Sequence, residues 1–194
     1  MNSINVIEQG NTHMTALDLE SKLLQSNIIF ITEEITAESI ATYQAELIYL
    51  TNEISPEESE GKPIQIYINS PGGDCYSCLG LYDLMQRYIN KGYIIKTVNV
   101  GCAASAAAII LLAGTPGHRL TMPHCTTMLH QPSSVTYGTV TDMEIDCKEA
   151  KRIKEVLNDI VKKHTSPEVV KFMERDKWLS AEEALKYKIV DKIV

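Results

Sequence analysis

Two stretches of this 194-residue chain each run from an apolar strand pattern, through a turn of small residues, into a helix pattern. In the first, "IQIYIN" at 64–69 passes through Ser70-Pro71-Gly72-Gly73 into "YSCLGLYDLMQRYI" at 76–89. In the second, "YIIKTVNV" at 93–100 passes through "GCAAS" at 101–105 into the alanine-rich "AAAIILLAG". Strand–turn–helix units in succession pair their strands in parallel, with right-handed crossovers, and so predict an α/β fold. Glycine at the first turn allows main-chain angles closed to other residues and lets another backbone, or a reacting atom, come close.

The rest of the chain fits one domain over residues 1–194, with no internal repeat and no low-complexity linker. "MTALDLESKLLQ" at 14–25 predicts a helix, "NIIFIT" at 27–32 a strand, and "TAESIATYQAELIYLTNEI" at 36–54 a second helix. "SPEESEGKP" at 55–63 is charged and broken by Pro and Gly, which predicts a loop. "HRLTM", "TTMLHQ" and "SVTYG" predict short strands. The clearest helix is 141–165, opening with the capping-box pattern Thr141-x-x-Glu144 and carrying an apolar stripe of Ile153, Val156, Leu157, Ile160 and Val161. A second capping box, Ser180-x-x-Glu183, starts "AEEALKYK", and "IVDKIV" closes the chain.

A formal charge of −7 argues against a nucleic-acid or anionic-membrane surface. No apolar run approaches the roughly 20 residues that span a bilayer. The first residues lack the basic and apolar regions of a secretory signal. Five cysteines without framework spacing predict reduced thiols, and together these features predict a cytoplasmic protein. Cys75 and Cys78 form a lone CxxC without a second ligand pair, so small buried apolar residues are the reading and no metal site is expected. "SPGG" lacks the GxxxxGK[ST] spacing of a phosphate-binding loop.

Ser105 sits where a strand gives way to a helix, and serine is a preferred N-cap. The same place offers free backbone N–H groups and the positive end of a helix dipole, at the sheet edge where α/β proteins bind ligands. A nucleophile there needs a base and an orienting acid. Histidines occur at 13, 118, 124, 130 and 164. His164, ending the long helix, suits the helix dipole as a cation. His124 and His130 flank one predicted strand, and spacing does not choose between them, nor among 25 acidic residues. The residues alone reach a Ser–His hydrolase with base and acid left open.

Taken in order, "VIEQ" at 6–9, "IYINSPGG" at 66–73, "GLYDLMQ" at 80–86, "GCAAS" at 101–105, "AGTPGHRL" at 113–120, "MLHQP" at 128–132, "TDMEI" at 141–145 and "ERDKWLSAEEAL" at 174–185 resemble one family. It is the proteolytic subunit of Clp proteases, ClpP, and the matches cover nearly the whole chain. The resemblance implies a ClpP/crotonase-type spiral of ββα units with a protruding handle, here a strand and helix over 133–165. It sets residues 1–18 apart as a mobile axial segment. It implies a serine endopeptidase whose nucleophile is Ser105, general base His130 and orienting acid Asp176. Gly73 and Ala106 would supply the backbone N–H donors for the oxyanion, and Arg175 a ring contact. The family stacks two seven-subunit rings around a chamber, into which a hexameric AAA+ unfoldase passes unfolded polypeptides. ATP is used by that partner, so no cofactor is expected in this chain.

Several positions depart from the family pattern. Asp74 follows the oxyanion glycine where an uncharged residue is usual, and a carboxylate there would oppose a developing negative charge unless it faces water. Cys78 stands where a glycine is usual, Ala106 where a methionine is, and Ser133-Ser134-Val135 where the family is glycine-rich. Residues are added around 55–63 and 90–93, and a few are missing between 165 and 174. These features imply a divergent paralogue, working alone or in rings mixed with a second ClpP-type subunit. The alternative is a weakly active or silent structural subunit. A crotonase-type acyl-CoA enzyme, which needs no serine–histidine pair, is disfavoured.

Overall fold

A computed structural model of the chain describes residues 5–9 and 14–194. It opens with an antiparallel pair, β1 (Asn5–Gln9) and β2 (Met14–Asp18), followed by α1 (Leu19–Leu24). The main sheet begins with β3 (Ile28–Ile31), and α2 (Ala37–Glu53) and α3 (Pro56–Gly61) connect it to β4 (Ile64–Ser70). Then come α4 (Cys75–Ile89), β5 (Ile95–Ala104), α5 (Ala106–Leu112), β6 (Arg119–Thr121) and β7 (Thr126–Leu129). The long α6 (Val140–His164), α7 (Val169–Phe172), β8 (Lys177–Leu179), α8 (Ala181–Lys186) and β9 (Lys192–Ile193) complete the chain.

Strands β3, β4, β5, β6 and β9 lie side by side in that order, all parallel. The architecture is the α/β class expected, with a parallel-dominated sheet and its helices. Alternation explains the central strand: Ile64, Ile66, Ile68 and Ser70 of β4 are buried while intervening side chains are less so. The ten-residue β5 serves two neighbours. Thr97–Asn99 pair with β6, while Cys102–Ala104 pair with β7, and β7 carries β8 antiparallel on its other side.

Helix α5 is buried along its whole length, with Ala107, Ala108, Ile110, Leu111 and Leu112 fully covered. Alanine loses no side-chain entropy on burial and lets this helix pack closely against the sheet. Each of its large aliphatic side chains adds about 1.5–3 kcal/mol of burial.

The termini of several helices differ from expectation, for local reasons. The expected helix over 14–25 is divided: Met14–Asp18 pair with Asn5–Gln9, and Asp18 Oδ1 accepts from Ser21 N at 2.8 Å to cap a shorter helix. The expected loop at 55–63 holds α3, because Ser55 and Glu58 form a reciprocal capping box with Pro56 in the first turn. Helix α6 starts at Val140, not at the expected box on Thr141. Thr139 caps it, with Asp142 N donating to Thr139 Oγ1 (3.3 Å) and Asp142 Oδ2 accepting from Thr139 N (3.1 Å). The box on Ser180 and Glu183 forms as predicted.

No strand forms over 133–139 within this single chain, so the short strand expected at "SVTYG" is absent from it. Val135 (78% exposed) and Tyr137 (84% exposed) are left largely uncovered by the described residues. The helical part of the handle is present. Residues 140–148 are exposed, and the apolar stripe meets the core only from Ile153, with Leu157, Ile160 and Val161. The mobile segment expected at 1–18 falls partly on residues 1–4 and 10–13, outside the described residues, as does His13. No described helix is long and apolar enough to cross a membrane.

The C-terminal end of α6 is tied to the sheet by buried polar contacts. Arg119 meets Asp191 through two side-chain hydrogen bonds, Nε to Oδ2 (3.0 Å) and Nη2 to Oδ1 (2.6 Å), and Arg119 Nη1 donates to the His164 carbonyl at 2.9 Å. Burial alone would raise the Asp191 pKa, but the hydrogen bonds from Arg119 outweigh it and lower it. His164 Nε2 lies 2.8 Å from Tyr82 Oη. Burial first, then the charges of Lys163 and Arg119, push His164 down to about 4, so it is neutral near pH 7 and is not the dipole cation expected. Between pH 6.5 and about 4 the unfolded chain therefore binds a proton that the folded one refuses. The contribution of His164 to stability is complete above that window and is lost as the pH falls through it. Urea midpoints measured across the window should fall less steeply for His164→Gln than for wild type; identical slopes would contradict this assignment.

Candidate active site

The turn after β4 is built around two glycines. Gly72 has φ +92° and Gly73 φ +149°, both in the region that favours glycine. A Cβ on Gly72 would lie 2.5 Å from the Ala104 carbonyl oxygen, 2.7 Å from Ser105 Cβ and 2.9 Å from Ala106 N. A Cβ on Gly73 would overlap the Ile35 carbonyl. The turn is held from its other side as well: Ile35 N donates to Gly72 O (2.8 Å), Asp74 N to Ile35 O (2.7 Å), and Gly72 N to Ser70 Oγ (3.2 Å). Bare backbone is what lets this turn sit between Ile35 and the start of α5.

Asp74 caps α4, its Oδ1 accepting from Ser77 N at 2.7 Å and from the Ser77 hydroxyl. Its carboxylate is exposed as well as bonded at a helix start, so it meets the condition of facing water.

Ser105 occupies the N-cap position of α5 but does not cap it, since its side chain makes no cap hydrogen bond. Its backbone has φ 55° and ψ −122°, a strained conformation for a non-glycine residue, costing about 1–3 kcal/mol. Ser105 N donates to Met128 O (2.9 Å), and Ala108 N donates to Ser105 O (3.0 Å), so backbone contacts on both sides hold the strain. The hydroxyl is left for His130, whose Nε2 lies 2.8 Å from Ser105 Oγ.

Strand registers bring the other two side chains in. Ala104 of β5 pairs with Met128 of β7, so His130, just past β7, comes beside Ser105. Leu129 of β7 pairs antiparallel with Lys177 of β8, so the residues flanking that pair, His130 and Asp176, face one another. His130 Nδ1 is 3.0 Å from Asp176 Oδ1. Gln131 fixes the approach, its N donating to Met173 O (2.6 Å) and its Nε2 to Glu174 O (2.8 Å). The His130 side chain is 23% exposed and that of Asp176 62% exposed, so the row runs from the interior to the surface.

Neither Gly73 N–H nor Ala106 N–H has a hydrogen-bond partner among the described residues, and both belong to segments that meet at Gly72. Ser105, His130 and Asp176 together can pass a proton from hydroxyl to imidazole while the carboxylate holds the ring. His118, His124 and His164 are not in this row. Arg175 is exposed and makes no ion pair among the described residues.

Sequence reasoning missed the wall beside the serine. Cys75, Cys78, Ile109, Leu129, Pro132 and Leu157 line a cavity of about 10 Å³ against Ser105 and His130. Cys78 is buried, its Sγ donates to the Ala106 carbonyl at 3.1 Å, and burial pushes its thiol pKa up. Burial, and then the neighbouring Asp74, raises that of Cys75. No cluster of three or more His, Cys, Asp or Glu fit to hold a metal occurs among the described residues. Helical spacing places both cysteines on α4, but only tertiary packing shows that this face meets α5 and α6.

A family model described as Clp protease matches residues 10–194. The chain is 38% identical over 195 residues to the ATP-dependent Clp protease proteolytic subunit of Porphyromonas gingivalis, covering 99% of this chain and 84% of that one. It is 37% identical over 192 residues to the proteins of that name from Bacteroides thetaiotaomicron (97% of this chain, 84% of the relative) and Bacteroides fragilis strain NCTC 9343 (97% and 89%). With a family model across almost all of its length and relatives of this identity and coverage, the chain belongs to the Clp protease family.

Proposed function

We propose that the protein is the proteolytic subunit of an ATP-dependent Clp protease, a serine endopeptidase that cleaves unfolded polypeptides through Ser105, His130 and Asp176. The observation that carries the reading is the unbroken pair of contacts, Ser105 Oγ to His130 Nε2 at 2.8 Å and His130 Nδ1 to Asp176 Oδ1 at 3.0 Å. Ser105 Oγ attacks the scissile carbonyl carbon while His130 Nε2 takes its proton. The oxyanion accepts from the N–H groups of Gly73 and Ala106; one such donor is worth about 3–4 kcal/mol of barrier in a comparable enzyme. His130 then gives its proton to the leaving amine, and an ester remains on Ser105. Water, deprotonated by His130, releases the carboxylate product. Asp176 keeps Nε2 turned toward the serine and stabilises the imidazolium.

The chain carries no phosphate-binding loop. ATP hydrolysis therefore belongs to a partner, which we take to be a hexameric AAA+ unfoldase, and no cofactor is needed here. We propose two stacked seven-subunit rings. Exposed Val135, Tyr137, Val140 and Ile145 around the projecting start of α6, together with the exposed Arg175, support contact with further copies. Residues 1–18 would line the axial entrance. Five free thiols fit work in the reducing cytoplasm. The solvent exposure of Asp74 weakens one of the two supports for a silent structural subunit; mixed rings with a second subunit stay compatible with an active site on this one.

Two outcomes are expected. A fluorophosphonate should add once per chain by intact mass, and Ser105→Ala should abolish both the adduct and peptide hydrolysis while leaving assembly intact; hydrolysis surviving in that variant would overturn the reading. The small cavity beside Ser105 has room for about one water and is lined by no carboxylate, ammonium or guanidinium. Peptides with alanine before the scissile bond should therefore exceed those with phenylalanine by about tenfold in kcat/KM. Cys78→Ala should narrow that ratio, and an aromatic preference indifferent to residue 78 would contradict the account.

A further inference from the structure

Strand β5 contains a bulge three residues before Ser105. Ile68 of β4 pairs with Asn99, but the next pair is Ser70 with Ala103. One residue of β4, Asn69, thus stands opposite three residues of β5: Val100, Gly101 and Cys102. Unbulged pairing would set Ser70 opposite Gly101. At about 3.3 Å per residue, the two extra residues would carry Ser105 some 6–7 Å past the glycine turn.

The bulge is closed by side-chain amides. Cys102 N donates to Asn69 Oδ1 at 3.0 Å, and Gly101 N donates to Asn99 Oδ1 at 3.1 Å. Asn99, fully buried, reaches on to β7 through Nδ2, which donates to the Thr126 carbonyl (3.0 Å) and lies 3.3 Å from Thr127 Oγ1. The Asn69 carboxamide lies directly over Gly101, where a Cβ would overlap Oδ1 and come within 2.7 Å of Cγ. Glycine at 101 therefore makes room for an amide that replaces the missing ladder partner. Immediately beyond, Ala103 pairs with Ser70 of β4 and Thr127 of β7, Ala104 pairs with Met128 of β7, and Gly72 seats on Ala104, Ser105 and Ala106.

We propose that Asn69 is a positioning residue for the oxyanion site. Its carboxamide closes the β5 bulge and so fixes the Ala106 N–H, on one strand end, relative to the Gly73 N–H, on the other. It touches neither substrate nor nucleophile and acts through Cys102. This rests on the peptidase reading, since its effect is seen in the chemical step.

The test uses the full-length assembled protein and an alanine-containing fluorogenic peptide. Asn69→Leu keeps the volume and removes the acceptor; Asn69→Asp keeps an acceptor for Cys102 N. A misplacement on the ångström scale costs about a hundredfold, so Asn69→Leu should lower kcat by that order. KM should stay within about twofold. A peptide aldehyde, whose carbonyl carbon takes Ser105 Oγ and whose oxygen occupies the oxyanion position, should bind more weakly by the same factor as kcat falls. Asn69→Asp should recover most of the rate. Unchanged kcat in Asn69→Leu would overturn the proposal. So would parallel losses in both variants accompanied by a lower unfolding temperature, because that marks a general structural role. Wild-type protein that neither hydrolyses the peptide nor labels at Ser105 would instead remove the peptidase reading, and the role of Asn69 with it.

Discussion

The close seating of the Gly72–Gly73 turn on the Ala104–Ser105–Ala106 backbone is the contact on which the rest of this site depends. It joins the ends of two adjacent parallel strands with no side chain between them, so that a would-be Cβ on Gly72 falls within 3 Å of three separate atoms of the opposing segment. Two N–H groups without a partner among the described residues, those of Gly73 and Ala106, lie on the two segments so joined. Ile35 closes the turn from behind through hydrogen bonds at 2.7 and 2.8 Å, which leaves it no room to relax outward. The glycines between β4 and α4 have a steric reason: both positions demand positive φ, and neither has space for a methyl group.

A strained serine needs a rigid support. Ser105 holds a positive φ that costs about 1–3 kcal/mol. The helix that follows it is buried from end to end, and its neighbours α4 and α6 pack against it through Cys78, Leu81, Ile153 and Leu157. Such a helix cannot shift to relieve one residue without opening the core. The strain and the packing are therefore two aspects of one arrangement, in which the hydroxyl is presented to His130 and withheld from capping.

Much of the fold was legible in local pattern. Strand alternation in Ile64–Ser70, the helical stripe from Ile153 to Val161, the capping box on Ser180 and the two strand–turn–helix units all read correctly, because each depends on neighbours within a few residues. The box on Ser55 obeyed the same rule, and the charge and the Pro-Gly breakers around it masked a six-residue helix. Ser105 shows the limit of a propensity argument: serine favours the N-cap, yet this one occupies that position without capping. Composition and spacing reached a serine–histidine pair only in outline. His130 and Asp176 are 46 residues apart, and their meeting is decided by the register of two short strands, Leu129 against Lys177, that no local pattern encodes. The resemblance to a known family supplied both residues. Nothing in the sequence marked the carboxamide of Asn69 or the thiol of Cys78, whose roles come from what lies across the sheet or across a helix pair. The strand expected at "SVTYG" was read from a pattern that finds no strand partner among the described residues of this single chain.

The most direct test of the central claim is the steady-state rate of peptide hydrolysis by Gly72→Ala, with secondary structure and assembly verified in the same preparation. One added methyl group, 2.5 Å from the Ala104 carbonyl, must separate the two strand ends. The account predicts a folded, assembled protein whose kcat falls by about a hundredfold, as expected when reacting groups are displaced on the ångström scale. A variant that hydrolyses peptide within about twofold of wild type would contradict it, and the seating of this turn would not be what sets the site.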